Sequence, residues 1–198
     1  MRLDKLKRRR GLIPLFVGIG AIAVGLIIYA AVGGLFGPGR PDEGGRTTPV
    51  VVDESIPVGA SVGNRAPDFT LDSLTGDRIT LSSLRGKVVI LDFWASWCSP
   101  CRVSMPILHS LWKRYHDQGV VMIGVSLDRS RAAAEGYLKA NGYTDVIALW
   151  ESLYAAQAVA QRYGVTGIPH TFVIDREGII RFAGHPSRLS ASLIESLL

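Results

Sequence analysis

The 198 residues are 47% hydrophobic, 20% charged and 8% aromatic, which excludes a long disordered chain, a collagen and a coiled coil. The net charge of +5 sits at one end: residues 1–36 hold six Lys/Arg and one acid, whereas residues 37–198 hold 16 of each sign. The globular part therefore has no basic bias toward nucleic acid, and the basic run is read as a topogenic signal beside a membrane segment.

In chain order, residues 1–10 form a basic tail expected to stay in the cytoplasm. Residues 11–36 carry no charge and exceed the about 20 apolar residues that cross a bilayer. Pro14 lies near the start of that stretch, where a helix tolerates it. The positive-inside rule then puts the N-terminus inside and the rest of the chain outside the cytoplasmic membrane. A cleaved signal peptide is the competing reading, with small residues at Ala31–Gly33, but its apolar region normally runs to about 7–15 residues. Residues 37–61 are rich in Gly, Pro, Asp, Arg and Thr and read as a flexible tether, with Val50–Val52 as a short strand.

Residues 62–198 alternate strands and helices. Asp68–Leu71 and Arg78–Leu81 flank a turn signal at Ser73–Gly76 and predict a hairpin. Val88–Trp94 is apolar apart from Asp92, which predicts a strand buried on both faces at the centre of a sheet. Pro100–His116 reads as a helix with Pro106 as a kink, Val120–Ser126 as a second apolar strand, and Arg131–Asn141 as a helix stopped by Gly142. A short strand at Val146–Leu149 and a helix at Ser152–Tyr163 follow. Thr171–Asp175 and Ile179–Phe182 form a second hairpin, and Ser187–Leu198 a last amphipathic helix. The order implies an α/β sandwich around a mixed sheet.

The chain has two cysteines, Cys98 and Cys101. That number cannot build a disulfide framework, and C-x-x-C is redox or metal spacing. A structural zinc site needs a second ligand pair, and His109 with His116, seven apart on a helix, is a weak candidate. The strand Val88–Trp94 runs directly into Trp97-Cys98-Ser99-Pro100-Cys101, which puts Cys98 at a helix N-terminus. There the unpaired N–H groups and the helix dipole favour a thiolate, the nucleophile of disulfide exchange. Cys101, one turn along, can reach back to close a disulfide. Pro100 sets the first turn. A loop this short gains little as a mere staple.

These residues carry a resemblance. Asp92-Phe93-Trp94-Ala95-Ser96-Trp97-Cys98-Ser99-Pro100-Cys101 is similar to the thioredoxin active site. Ala66-Pro67-Asp68-Phe69 and Leu84-Arg85-Gly86-Lys87-Val88-Val89 resemble the opening shared by exported thioredoxin relatives and peroxiredoxins. With the anchor, the whole resembles membrane-anchored thiol–disulfide oxidoreductases of the TlpA/ResA type over residues 62–198, with Asp128–Gln161 matching their extra αβ insertion. The resemblance implies a thioredoxin-like fold and no cofactor beyond the redox-active Cys98–Cys101 pair. It also implies that Pro169, in Gly167-Ile168-Pro169-His170-Thr171-Phe172, is a cis-proline facing the dithiol, with the Ile168 backbone free to pair with substrate. Trp97, Ser99, Pro100, Ile168 and Pro169 are the expected substrate-contact residues. Trp97 is expected to shield Cys98 and Trp94 to lie in the core. His170 is expected to point away from the thiolate, and His185 to be a loop residue.

Two departures from the family pattern matter. Ser104 stands where many relatives carry a Glu, which removes a carboxylate relay from that helix. Asp92 occupies the buried-acid position of thioredoxin. There it would have a raised pKa and take the proton of Cys101; the bland alternative is an Asp at the surface or paired with Lys87.

The expected function is reduction of disulfides in exported proteins, apocytochrome c among the family's substrates, with a membrane donor of the CcdA or DsbD type resetting the dithiol. Two alternatives stand beside it. One is a peroxiredoxin-like peroxidase, although Pro100 follows Cys98 where a peroxidatic loop has its Pro before the Cys. The other is a non-catalytic redox-sensing adaptor.

Overall fold

The computed structural model describes residues 55–198. The basic tail, the anchor at residues 11–36, most of the tether and the strand expected at Val50–Val52 lie outside the described residues. Among the described residues no helix is long and apolar enough to cross a membrane.

A five-stranded mixed sheet organises the domain, in the order β5-β4-β3-β6-β7. Its strands are β3 (Val88–Trp94), β4 (Val120–Ser126), β5 (Ile147–Leu149), β6 (His170–Ile174) and β7 (Ile180–Gly184). β3 is central, as its unbroken burial requires, and every one of its seven residues is buried. It pairs parallel with β4 and antiparallel with β6. The separate hairpin of β1 (Thr70–Asp72) and β2 (Arg78–Thr80) is antiparallel. It is joined to the sheet edge through Leu74 N–H to the Ala148 carbonyl at 2.8 Å and Trp150 N–H to the Asp72 carbonyl at 2.9 Å. Four helices complete the domain: α1 (Ser99–Tyr115), α2 (Arg131–Asn141), α3 (Leu153–Arg162) and α4 (Ala191–Glu195). Upstream of them, Arg65 N–H bonds the Pro57 carbonyl at 2.9 Å, and Gly59 N–H bonds the Arg65 carbonyl at 3.0 Å.

Strand alternation sorts the core into two layers. Val89, Leu91 and Phe93 face Phe172, Ile174, Tyr163 and the Ala156–Ala160 face of α3. Val88, Ile90 and Trp94 face Cys101, Met105 and Leu108 of α1, with Ala134 and Leu138 of α2. Side-chain caps hold the helix starts: Ser130 accepts from Ala133 N–H, and Ser152 from Ala155 N–H. Gly142 ends α2 in the left-handed region at φ 75°, where a side chain would be strained.

Most elements fall within one or two residues of the expected ones; β3, β4 and α2 coincide with them. The C-terminal helix does not. The expected helix over 187–198 is a 3-10 turn at Pro186–Arg188 followed by the five-residue α4. Leu189 is extended (φ −77°, ψ 121°), and Ser190 caps a fresh start by accepting from Leu193 N–H. A serine that competes for backbone donors breaks the run that apolar periodicity alone would continue.

Candidate active site

The dithiol sits where β3 hands the chain to α1. Ala95 and Cys98 close a tight turn through Cys98 N–H to the Ala95 carbonyl at 3.1 Å. Cys98 is then the N-cap of α1, in extended geometry (φ −83°, ψ 104°). Its Sγ accepts from the backbone N–H of Cys101 at 3.2 Å. The cap position is ordinarily filled by a side-chain oxygen; here a sulfur fills it. In the reduced protein that N–H and the helix dipole lie where they stabilise a thiolate. Pro100 occupies the first turn, where its missing N–H costs nothing.

Cys98 and Cys101 are joined by a disulfide, with their Cα atoms 5.2 Å apart. Both are nearly sequestered, at 5% and 2% exposure, and Cys101 is the deeper. Ser99 and Pro100 are exposed on the first turn, and Trp97 is 65% exposed. Trp94, by contrast, is core at 1% exposure. The Ile168–Pro169 bond is cis, and the Ile168 carbonyl oxygen lies 3.7 Å from Cys98 Sγ. The structure thus brings Cys98, Cys101, Ile168 and the buried Pro169 together.

Asp92 lies on the same side of β3 as Ile90 and Trp94, in the layer that contains Cys101 and Met105. It is 1% exposed, and burial pushes its carboxyl up to about 7 from 3.8, against the opposing effect of a hydrogen bond from Thr171. Its Oδ1 accepts from Thr171 Oγ1 at 2.7 Å, and its Oδ2 has no partner among the described residues. Pairing with Lys87 is therefore ruled out: Lys87 is exposed and Asp92 is interior. A carboxyl poised near neutrality in this layer can take up and return a proton.

Several nearby polar residues have plain structural partners. Ser104 is buried and donates to the Cys101 carbonyl at 3.1 Å. His170 pairs with Phe93 in the β3–β6 register and stacks 4.9 Å from Phe172, so it faces the layer opposite Asp92. Burial, then Arg188 and His185, hold its imidazole below the usual value. His185 is exposed and caps the Pro186 turn through Ser187. His109 meets Asp145 at 2.8 Å, and His116 lies beyond the end of α1.

One residue of the site escapes sequence reasoning. Asp128, just after β4, is fully buried. Its carboxylate accepts from Ser96 N–H at 3.2 and 3.1 Å, from Ser96 Oγ at 2.7 Å and from Ser126 Oγ at 2.8 Å. Its backbone carbonyl accepts from Trp150 Nε1 at 2.9 Å. Asp128 therefore holds the turn that delivers Cys98, from a strand remote in sequence. The one local signal is an acid directly behind an apolar strand, and that pattern also fits any surface loop.

Residues 62–183 match the AhpC/TSA family. The chain belongs to the AhpC/TSA family. Among curated relatives, it is 36% identical over 118 residues to the thiol-disulfide oxidoreductase ResA of Bacillus subtilis, covering 60% of this chain and 64% of that protein. The Bacillus anthracis ResA is 33% identical over 117 residues, covering 59% of this chain and 65% of that protein. The match thus spans just under two thirds of the length of these relatives. Among solved structures, the thioredoxin domain of a thiol-disulfide oxidoreductase from Bacteroides vulgatus superposes with a TM-score of 0.60 at 26% identity, covering 69% of this chain and 94% of that domain. A thiol-disulfide oxidoreductase from Bacteroides fragilis gives 0.59 at 27% identity, covering 68% and 100%. The domain has the thioredoxin-like fold.

Proposed function

We propose that this AhpC/TSA protein is a thiol–disulfide oxidoreductase working through Cys98 and Cys101. The single observation that carries the reading is the Cys101 N–H pointing at Cys98 Sγ at a helix start, beside the Ile168 carbonyl. The similar Bacillus subtilis ResA is a thiol-disulfide oxidoreductase.

In the reducing direction, the Cys98 thiolate attacks one sulfur of a substrate disulfide. A Cys98–substrate S–S bond forms as the substrate S–S bond breaks, and the other substrate sulfur leaves as a thiolate and takes a proton from solvent. Cys101 then loses its proton toward Asp92 and attacks Cys98 Sγ. The Cys98–Cys101 bond forms, and the second substrate sulfur leaves and is protonated in turn. The substrate gains two electrons and two protons; the protein dithiol becomes the disulfide present in the structure. A dithiol donor must then reduce the Cys98–Cys101 bond by two successive exchanges, becoming a disulfide itself, and a membrane protein of the CcdA or DsbD type fits that role. Trp97, Ser99, Pro100, Ile168 and Pro169 would contact the substrate.

The finer reading is that residues 11–36 anchor the chain in the cytoplasmic membrane, with the catalytic domain outside. Its substrates would be disulfides of exported proteins, including the paired cysteines of apocytochrome c. The uncharged stretch and its basic flank support the anchor. Mixed-disulfide capture tests the whole reading. Cys101→Ala in the full chain keeps the attacking thiol and cannot resolve the intermediate. Capture of apocytochrome c or a haem-ligation component on Cys98 in native membranes is the expected result. Capture dominated by other exported proteins would make it a general enzyme and remove the cytochrome role. If nothing is captured while Cys98 stays alkylatable, the exchange reading fails.

A further inference from the structure

Two depressions meet beside the dithiol. One, of about 420 Å³, runs from Ile168 and Val165 past Ala160 to Trp97, Leu127 and Gln157. The other, of about 560 Å³, continues from Trp97, Leu127 and Gln157 to Leu153 and Arg129. The three shared residues join them into one cleft. It runs from Ile168, whose carbonyl oxygen lies 3.7 Å from Cys98 Sγ, to Arg129.

The lining of this cleft is selective in its chemistry. Its polar side chains are the uncharged Gln157, Gln161 and Thr166, and no carboxylate lines it. Arg129 is its one charge. Arg129 is exposed and, among the described residues, has no hydrogen-bond or ion-pair partner. The adjacent Asp128 offers it nothing, since that carboxylate is buried on Ser96 and Ser126. Trp97 presents a large aromatic surface at 65% exposure, beside the half-buried Leu127. Another cavity, of about 580 Å³ between α2 and β5, has the opposite character, with Asp77, Glu135 and Asp145 against one Lys139.

We propose that this cleft receives the substrate polypeptide on one side of its reactive cysteine, packing an apolar side chain against Trp97 and Leu127 and selecting an acidic residue at Arg129. The inference rests on the oxidoreductase reading and names the substrate class for that site. An unpaired cation beside an apolar floor favours an anionic neighbour and repels a cationic one, so it discriminates in both senses. The occupant is a polypeptide because Ile168, which lines one end of the cleft, holds its carbonyl 3.7 Å from the Cys98 sulfur that a protein disulfide would meet.

The test uses the full chain, reduced beforehand, in single-turnover reactions with short peptides that each carry one internal disulfide. The peptides form pairs identical except for Glu or Lys at one position, stepped through the residues flanking the cysteine. At one of those positions the Glu peptide should react about three- to fivefold faster than the Lys peptide, and the preference should shrink in about 0.5 M salt. Arg129→Glu should reverse the order at that position, and Gln157→Glu should flatten it. Equal rates at every position, faster Lys peptides, or a preference that Arg129→Glu leaves intact would overturn the proposal. Failure to reduce any peptide of either kind would instead overturn the oxidoreductase reading beneath it.

Discussion

Thr171 on β6 and Asp92 on β3 are directly paired across the sheet, and the Thr171 hydroxyl donates to Asp92 Oδ1 at 2.7 Å. This is the one hydrogen bond to the buried carboxyl among the described residues, and it opposes the desolvation that raises the Asp92 pKa. The acid is held in the interior at a cost to the fold. Between the ordinary value of 3.8 and about 7 the native protein retains a proton that the unfolded chain has lost. Stability contributed at this site therefore falls as pH rises through that window and is lowest above it.

Asp92→Asn should remove that penalty. At pH 8 the variant should be more stable by about 2–4 kcal/mol, and the gain should vanish near pH 4. Chemical denaturation of both proteins across that range measures it. If Asp92 takes the Cys101 proton as proposed, the same variant should resolve the mixed disulfide more slowly.

Thr171→Val leaves the carboxyl in place without its donor. The Asp92 pKa should move further up, so the pH at which resolution becomes fast should move up with it. An unchanged profile would show that the hydroxyl has no electrostatic role.

Asp128→Ala should leave Ser96 N–H and two hydroxyls without their carboxylate. The expected cost is about 2–4 kcal/mol in denaturant titrations. Because Ser96 lies two residues before Cys98, the thiolate pKa followed by ultraviolet absorbance should shift as well. A purely structural loss would lower stability and leave that pKa alone.

Gly124 pairs with Asp92 in the β3–β4 register, and a Cβ there would stand 2.7 Å from Trp94 Nε1. The indole is fixed in the core at 1% exposure. Gly124→Ala should therefore destabilise the domain by about 1–3 kcal/mol through overpacking, read as a lowered denaturation midpoint.

The central strands were legible because burial on both faces writes itself as an unbroken apolar run, and Asp92 stood out because it interrupts one. Cys98 was legible because strand, C-x-x-C and helix are adjacent in the chain. Asp128 was not. Its meaning lies in contacts to Ser96, 32 residues earlier in the chain, and no local pattern encodes a partner at that distance. The sheet register is hidden for the same reason: nothing within Val88–Trp94 says that one neighbour runs parallel and the other antiparallel. At the C-terminus, local competition by Ser190 overrode a periodic pattern that Leu193, Ile194 and Leu197 alone would have extended.

On the proposed mechanism, the atom that begins α1 is also the atom that reacts. Each time Cys98 takes on a partner's sulfur, the first turn of the helix exchanges an anionic cap for a neutral one, so covalent catalysis and helix initiation share a single site. Serine and alanine at position 98 separate the two. Both abolish exchange and both lack the disulfide, but Cys98→Ser can still accept the Cys101 N–H. It should exceed Cys98→Ala in stability by about 1 kcal/mol, a difference that measures how much of the architecture rests on the nucleophile before any substrate arrives.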